Sequence, residues 1–199
     1  MLGGTASLDR DSPIRRRHAL ARGTPVRRVQ CRAGARYGIF WRAVTLNRSG
    51  RSFVDEIRAE NAGIGLLLDL HGATRQPDAP AEIYVGTENG LTITALRQST
   101  SDDALYRRRG LVGLLQAAGY TMLPGEFGTP EHHAFTGGYT VETYGSHHAD
   151  GIDAIQLEIV AELRRTETCR ARLATELANA IASLLPRWLP SPVRRQCAP

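Results

Sequence analysis

Ile64–His71 reads IGLLLDLH, a continuous apolar run closed by a polar tip. Such a run fits a strand buried in a largely parallel sheet, where both faces are covered. Working outward, strand and helix patterns alternate. Ser52–Ala62 (SFVDEIRAENA) sets Phe53, Ile57 and the stem of Glu60 near one helical face, with Ser52 as N-cap. Tyr37–Leu46 (YGIFWRAVTL) is rich in aromatic and β-branched residues and reads as a strand. Downstream, Pro77–Ala81 is a loop and Glu82–Gly86 (EIYVG) a short strand, with a turn at Asn89-Gly90. Asp103–Gly119 reads as helix, Tyr120–Leu123 as strand, and Pro124–Gly138 as a long loop carrying two histidines.

Ala154–Ile159 (AIQLEI) alternates strictly, with Ile155, Leu157 and Ile159 one way and Gln156 and Glu158 the other. Thr166–Leu185 is the strongest helix pattern, with Leu173, Leu177, Ile181 and Leu184 on one side and a stop at Pro186. Strands alternating with helical stretches predict an α/β layer architecture.

Composition bounds the rest. The chain has 199 residues, 42% hydrophobic and 23% charged, which suits one globular domain with tails. No apolar run approaches the roughly 20 residues of a membrane helix. The first residues turn Arg-rich without an apolar segment, so they do not read as a secretory signal. Cys31, Cys169 and Cys197 form no C-x-x-C pair, and a reducing cytoplasm is the default expectation.

The net charge of +5 is unevenly spread. Every basic residue is Arg, and residues 1–42 hold ten of them against two Asp. Residues 1–36 are expected to be a disordered arm, 37–187 the α/β domain and 188–199 a disordered tail. An Arg-rich arm can neutralise phosphates. With few interleaved aromatics and no recognition motif, a solvated arm is the better reading than nucleic-acid binding.

Four constellations could carry chemistry. Asp69-Leu70-His71-Gly72 presents an imidazole at the carboxyl edge of a strand, where open α/β folds place ligands. Asp69 lies two residues back on the same strand face and could orient the ring. A satisfied histidine at a strand end is the alternative. Glu158 is either a solvated residue on a half-exposed strand or, facing a cleft, a general base. Gly137–Gly145 is a glycine-led loop that could line a ligand site, or a β-hairpin turn. Asn47-Arg48 closes a strand and could clamp a carboxylate, or be ordinary surface. His132-His133 and His147-His148 read as loop residues, since neither pair has a partner at helical metal-ligand spacing. There is no P-loop, no G-x-G-x-x-G and no G-x-S-x-G.

The order of these segments resembles the N-formylglutamate amidohydrolase family. The series is Asn47-Arg48, Asp69-Leu70-His71-Gly72, Gly86-Thr87 with Gly90, Gly137-Gly138-Tyr139-Thr140 with Tyr144-Gly145, then AIQLEI. It covers about residues 37–165. The resemblance implies a zinc-carboxypeptidase-like three-layer sandwich with a mostly parallel or mixed central sheet, lacking N-terminal strands. It implies that His71 ligates zinc and that Glu158 is the catalytic general base or acid. Asn47 and Arg48 would hold a substrate carboxylate, and Gly138, Tyr139 and Thr140 would line the pocket. The implied substrate is a small N-acyl amino acid. The implied reaction takes N-formyl-L-glutamate to formate and glutamate. A non-catalytic, carboxylate-binding relative is the alternative. The chain departs from the family in one respect: nothing in residues 1–46 matches its Pro-His-x-Gly metal motif. One His, His18, and no Glu precede Glu56. A truncated start, a pseudoenzyme and recruitment of a loop histidine such as His132 or His147 each account for this. The truncated start is the expectation, because the composition changes near residue 36.

Overall fold

The computed structural model describes residues 49–188. The expected strand Tyr37–Leu46, the arm, Asn47, Arg48 and residues 189–199 lie outside the described residues. Among the described residues no helix is long and apolar enough to cross a membrane.

Among the described residues four strands form one sheet: β1 (Leu66–Ala73), β2 (Ile83–Gly86), β3 (Met122–Leu123) and β4 (Asp153–Val160), in the order β1-β4-β2-β3. β1 pairs parallel to β4, β2 antiparallel to β4, and β3 parallel to β2. The helices are α1 (Ser49–Glu60), α2 (Thr94–Ser99), α3 (Leu111–Ala117), α4 (Tyr139–Tyr144), α5 (Ala161–Arg164) and α6 (Glu167–Trp188). The α/β expectation holds, with a mixed sheet.

The run IGLLLDLH forms the expected strand but not the expected burial. β1 ends the sheet order, so among the described residues only β4 flanks it, and Leu70 is 51% exposed. The strand enclosed on both faces is β4, all eight of whose residues are buried. Its alternation therefore separates two kinds of cover rather than core from water. On one face Ile155, Leu157 and Ile159 join Ile83 and Val85 of β2 in the main core. Leu111, Val112 and Leu115 of α3 and Leu173, Leu177, Ile181 and Leu184 of α6 complete it, and each fully buried aliphatic side chain stabilises by about 1.5–3 kcal/mol. The apolar spacing in α6 is thus the stripe that the sequence predicts. Thr166 caps the helix by accepting the Cys169 N–H at 3.1 Å, and the helix continues through Pro186 to Trp188.

Other elements differ from expectation for local reasons. Ser52 lies inside α1 instead of capping it, and Val54 is the buried side chain of that helix. The helix expected over 103–119 is confined to α3, because Gly110 is extended and serves as its N-cap. Neither the 3-10 turn Leu91–Ile93 nor α2 has a counterpart in the sequence reading. Gly137–Gly145 is neither hairpin nor open loop: extended Gly138 caps α4, and Val141 is buried.

Candidate functional site

Parallel pairing of β1 and β4 sets Asp69 opposite Gln156 and His71 opposite Glu158. Side chains alternate across a strand, so these four share the face turned away from α6. His71 Nε2 stands 3.0 Å from Asp69 Oδ2, and His71 Nδ1 stands 3.6 Å from Glu158 Oε1. Each ring nitrogen has a carboxylate near it. Gln156 Nε2 donates to the same Glu158 Oε1 at 3.0 Å. The His71 side chain is 46% exposed while that of Glu158 is 10% exposed, so the imidazole is the solvent-facing member of the pair and the carboxylate the buried one.

Burial pushes the Glu158 carboxyl above the ordinary glutamate range, and the Asp69 charge adds to the rise. His71, Arg164 and the Gln156 hydrogen bond oppose it. A carboxylate raised in this way is suited to taking and returning a proton. Two buried acceptors on this face, Asp69 Oδ2 and Gln156 Oε1, make no hydrogen bond.

The segment 131–138 lies over β2. Gly86 permits this contact, since a Cβ there would stand 2.5 Å from Phe135 O and 2.6 Å from Gly137 N. Buried Glu131 anchors the segment by accepting the Thr87 N–H at 2.8 Å and the Asn89 N–H at 3.0 Å, and the Thr87 hydroxyl also donates to it. Burial raises the Glu131 carboxyl, and these hydrogen bonds partly offset the rise. They hold the turn in which Glu88, Asn89 and Gly90 all have positive φ.

The structure thus brings His71 and Glu158 together, with Asp69 in the orienting position. A Cβ on Gly138 would lie 2.8 Å from Gln156 Oε1, so Gly138 borders this face. Tyr139 is 77% exposed and Thr140 is buried. Asn47 and Arg48 lie outside the described residues.

Sequence reasoning did not single out Arg164. Its Nε donates to Ile159 O at 2.8 Å and its Nη2 to Ala73 O at 3.4 Å, and its guanidinium fills the space beside Gly72. The glycine after His71 therefore admits an arginine. The Arg164-Arg165 pair just beyond AIQLEI was the available signal.

Sequence reasoning also did not use Tyr84, the register partner of Glu158 on β2. Its hydroxyl accepts the Gln76 N–H at 2.7 Å and donates to Ala79 O at 3.0 Å, while its ring packs on His132 and Phe135.

A zinc ion on His71 needs further ligands, commonly two more protein side chains in a catalytic site. Among the described residues the one set of three gathered ligand atoms is Asp78, His132 and His133, all within 4.8 Å of one another. His71 belongs to no such set, because its two neighbouring carboxylates lie on different ring nitrogens rather than around one point. The described surroundings of His71 do not fit the metal implied for it.

In comparisons with family models, characterised proteins and solved structures, none matches this chain.

Proposed function

We propose that the chain is an amidohydrolase-like enzyme that cleaves a linear amide on the polar face of β1 and β4. The family it resembles suggests a small N-acyl amino acid, with N-formyl-L-glutamate as the first substrate to try. That resemblance also carries the finer description of the fold, a zinc-carboxypeptidase-like three-layer sandwich. One observation carries the reading: His71 lies between Asp69 and Glu158, and Glu158 is a buried carboxylate, raised by burial, next to a half-exposed imidazole.

The chemistry follows from these side chains. Glu158 takes a proton from the attacking water and passes it to the leaving amine as the C–N bond breaks. His71 stands beside the carboxylate, with Asp69 on the other side of the ring, and supplies a half-exposed polar edge next to Glu158. No step is assigned to a metal, because the described residues around His71 do not gather a ligand set. The test is release of formate from N-formyl-L-glutamate by the wild-type chain, Glu158→Gln and His71→Ala. Turnover that is lost in Glu158→Gln supports the reading, and turnover retained in that variant removes it.

The second reading is a non-catalytic relative that binds carboxylate ligands. That no ligand set gathers around His71 among the described residues favours it. Heat of binding with N-formylglutamate in calorimetry, without formate release, selects this reading over the first.

A further inference from the structure

We propose a second site, distinct from the Asp69–His71–Glu158 cluster, where Asp78, His132 and one ring nitrogen of His133 bind a borderline-soft divalent cation of the zinc class. It does not depend on the amide-hydrolysis reading.

Three observations support it. First, the ligand atoms are already close. His132 Nε2 lies 3.5 Å from Asp78 Oδ1. Two ligand atoms on one tetrahedral ion, with bonds near 2.0–2.1 Å, stand roughly 3.3–3.4 Å apart. One ligand atom each of Asp78, His132 and His133 gather within 4.8 Å of one another, so loop adjustments of about one to two ångströms close the set.

Second, His132 is buried in a way that its own contacts do not satisfy. Its side chain is only 4% exposed, and its Nε2 makes no hydrogen bond. A buried ring nitrogen left without a hydrogen bond costs free energy unless a ligand meets it. The nitrogen lies 3.5 Å from a carboxylate whose side chain is 65% exposed to water, so a buried ring nitrogen and a solvent-facing carboxylate stand side by side.

Third, one side chain fixes both halves of the site. The Tyr84 hydroxyl binds the backbone at Gln76, Ala79 and Ala81, which flank Asp78. The Tyr84 ring packs on the His132 ring at 5.7 Å between centroids. The two loops therefore meet over a common support rather than by the chance approach of free side chains.

Two imidazoles and a carboxylate suit zinc-class ions better than calcium or magnesium. With three protein ligands, the remaining position is open to water or a small ligand. There is one local cost. His132 Nδ1 accepts the Ala134 N–H at 3.3 Å, which places the ring proton on Nε2. A cation at Nε2 moves that proton to Nδ1 and gives up this long hydrogen bond. The Ala134 amide signal should therefore shift when the ion binds.

The experiment titrates the full chain with zinc by calorimetry. Asp78→Asn and His133→Ala serve as variants because both side chains are exposed and neither substitution disturbs the core. His71→Ala separates this site from the other. One zinc per chain, weakened at least about 10-fold in each of the first two variants and unchanged in His71→Ala, is the expected result. Unaltered zinc affinity in the Asp78→Asn, His133→Ala double variant overturns the proposal. So does loss of binding in His71→Ala alone, which would place the ion at the other cluster. A wild-type chain that binds no zinc overturns it as well.

Discussion

His71 and Glu158 are register partners on adjacent parallel strands, with Nδ1 3.6 Å from Oε1 on the face turned away from α6. The pair joins an exposed imidazole to a buried carboxylate. Its position depends on backbone pairing rather than on the reach of long side chains.

Glu158→Gln keeps the size of the side chain and removes its ability to accept a proton. Amide hydrolysis should fall by about 10²–10⁴-fold, with the far-ultraviolet circular dichroism spectrum unchanged. Formate release and the spectrum, measured on one preparation, check both halves.

The same variant should alter how stability depends on pH. The folded Glu158 carboxyl lies above its ordinary value of 4.5. The stabilisation that comes with its protonated form is full below 4.5 and is lost as pH rises through the folded pKa. Urea midpoints across this window should therefore decline less steeply in Glu158→Gln than in the wild type.

Glu131→Ala removes the acceptor for the Thr87 and Asn89 amides and for the Thr87 hydroxyl. Leaving buried donors without a partner should cost about 1–3 kcal/mol, read from the urea midpoint. Hydrogen exchange at Thr87 and Asn89 should accelerate beyond the global change.

Gly86→Ala and Gly72→Ala should separate clearly. The new methyl at 86 meets backbone at Phe135 and Gly137, whereas at 72 it meets the end of the flexible Arg164 side chain. Overpacking against backbone should cost about 1–3 kcal/mol in Gly86→Ala. Gly72→Ala should cost clearly less, because the guanidinium can swing away. Thermal melts of the two variants side by side give the comparison.

Tyr84→Phe retains the ring that supports His132 and deletes the hydroxyl that holds the loop 76–81. A loss of about 1–3 kcal/mol is expected, since the Gln76 amide and Ala79 carbonyl lose their partner. Faster protease cleavage within that loop is the accompanying local sign.

The local patterns were legible where a single period governs. The stripe in α6 and the alternation of AIQLEI can be read directly, and they fix which face Gln156 and Glu158 share. The sequence misleads about which strand is enclosed. IGLLLDLH is the more apolar, yet among the described strands β1 stands at the end of the order and β4 inside it. Order depends on pairing between distant segments, which composition does not encode. The Asp78–His132–His133 group was hidden for a related reason. Spacing rules for metal ligands assume a helix or a tight turn, whereas here a tyrosine on a strand draws two loops together. α4 was missed because its two leading glycines suggest a turn, although one of them is simply an extended cap.

Arg164 can also be regarded as a register pin. One guanidinium-bearing side chain donates to carbonyls at the ends of both β1 and β4, and it packs against the one residue beside His71 that has no side chain. If β4 slid by a single residue, every side chain on it would change faces, and Glu158 would turn into the apolar layer under α6. Placing the pin beyond the last pair of strand residues ties the alignment of His71 and Glu158 to a residue outside both strands.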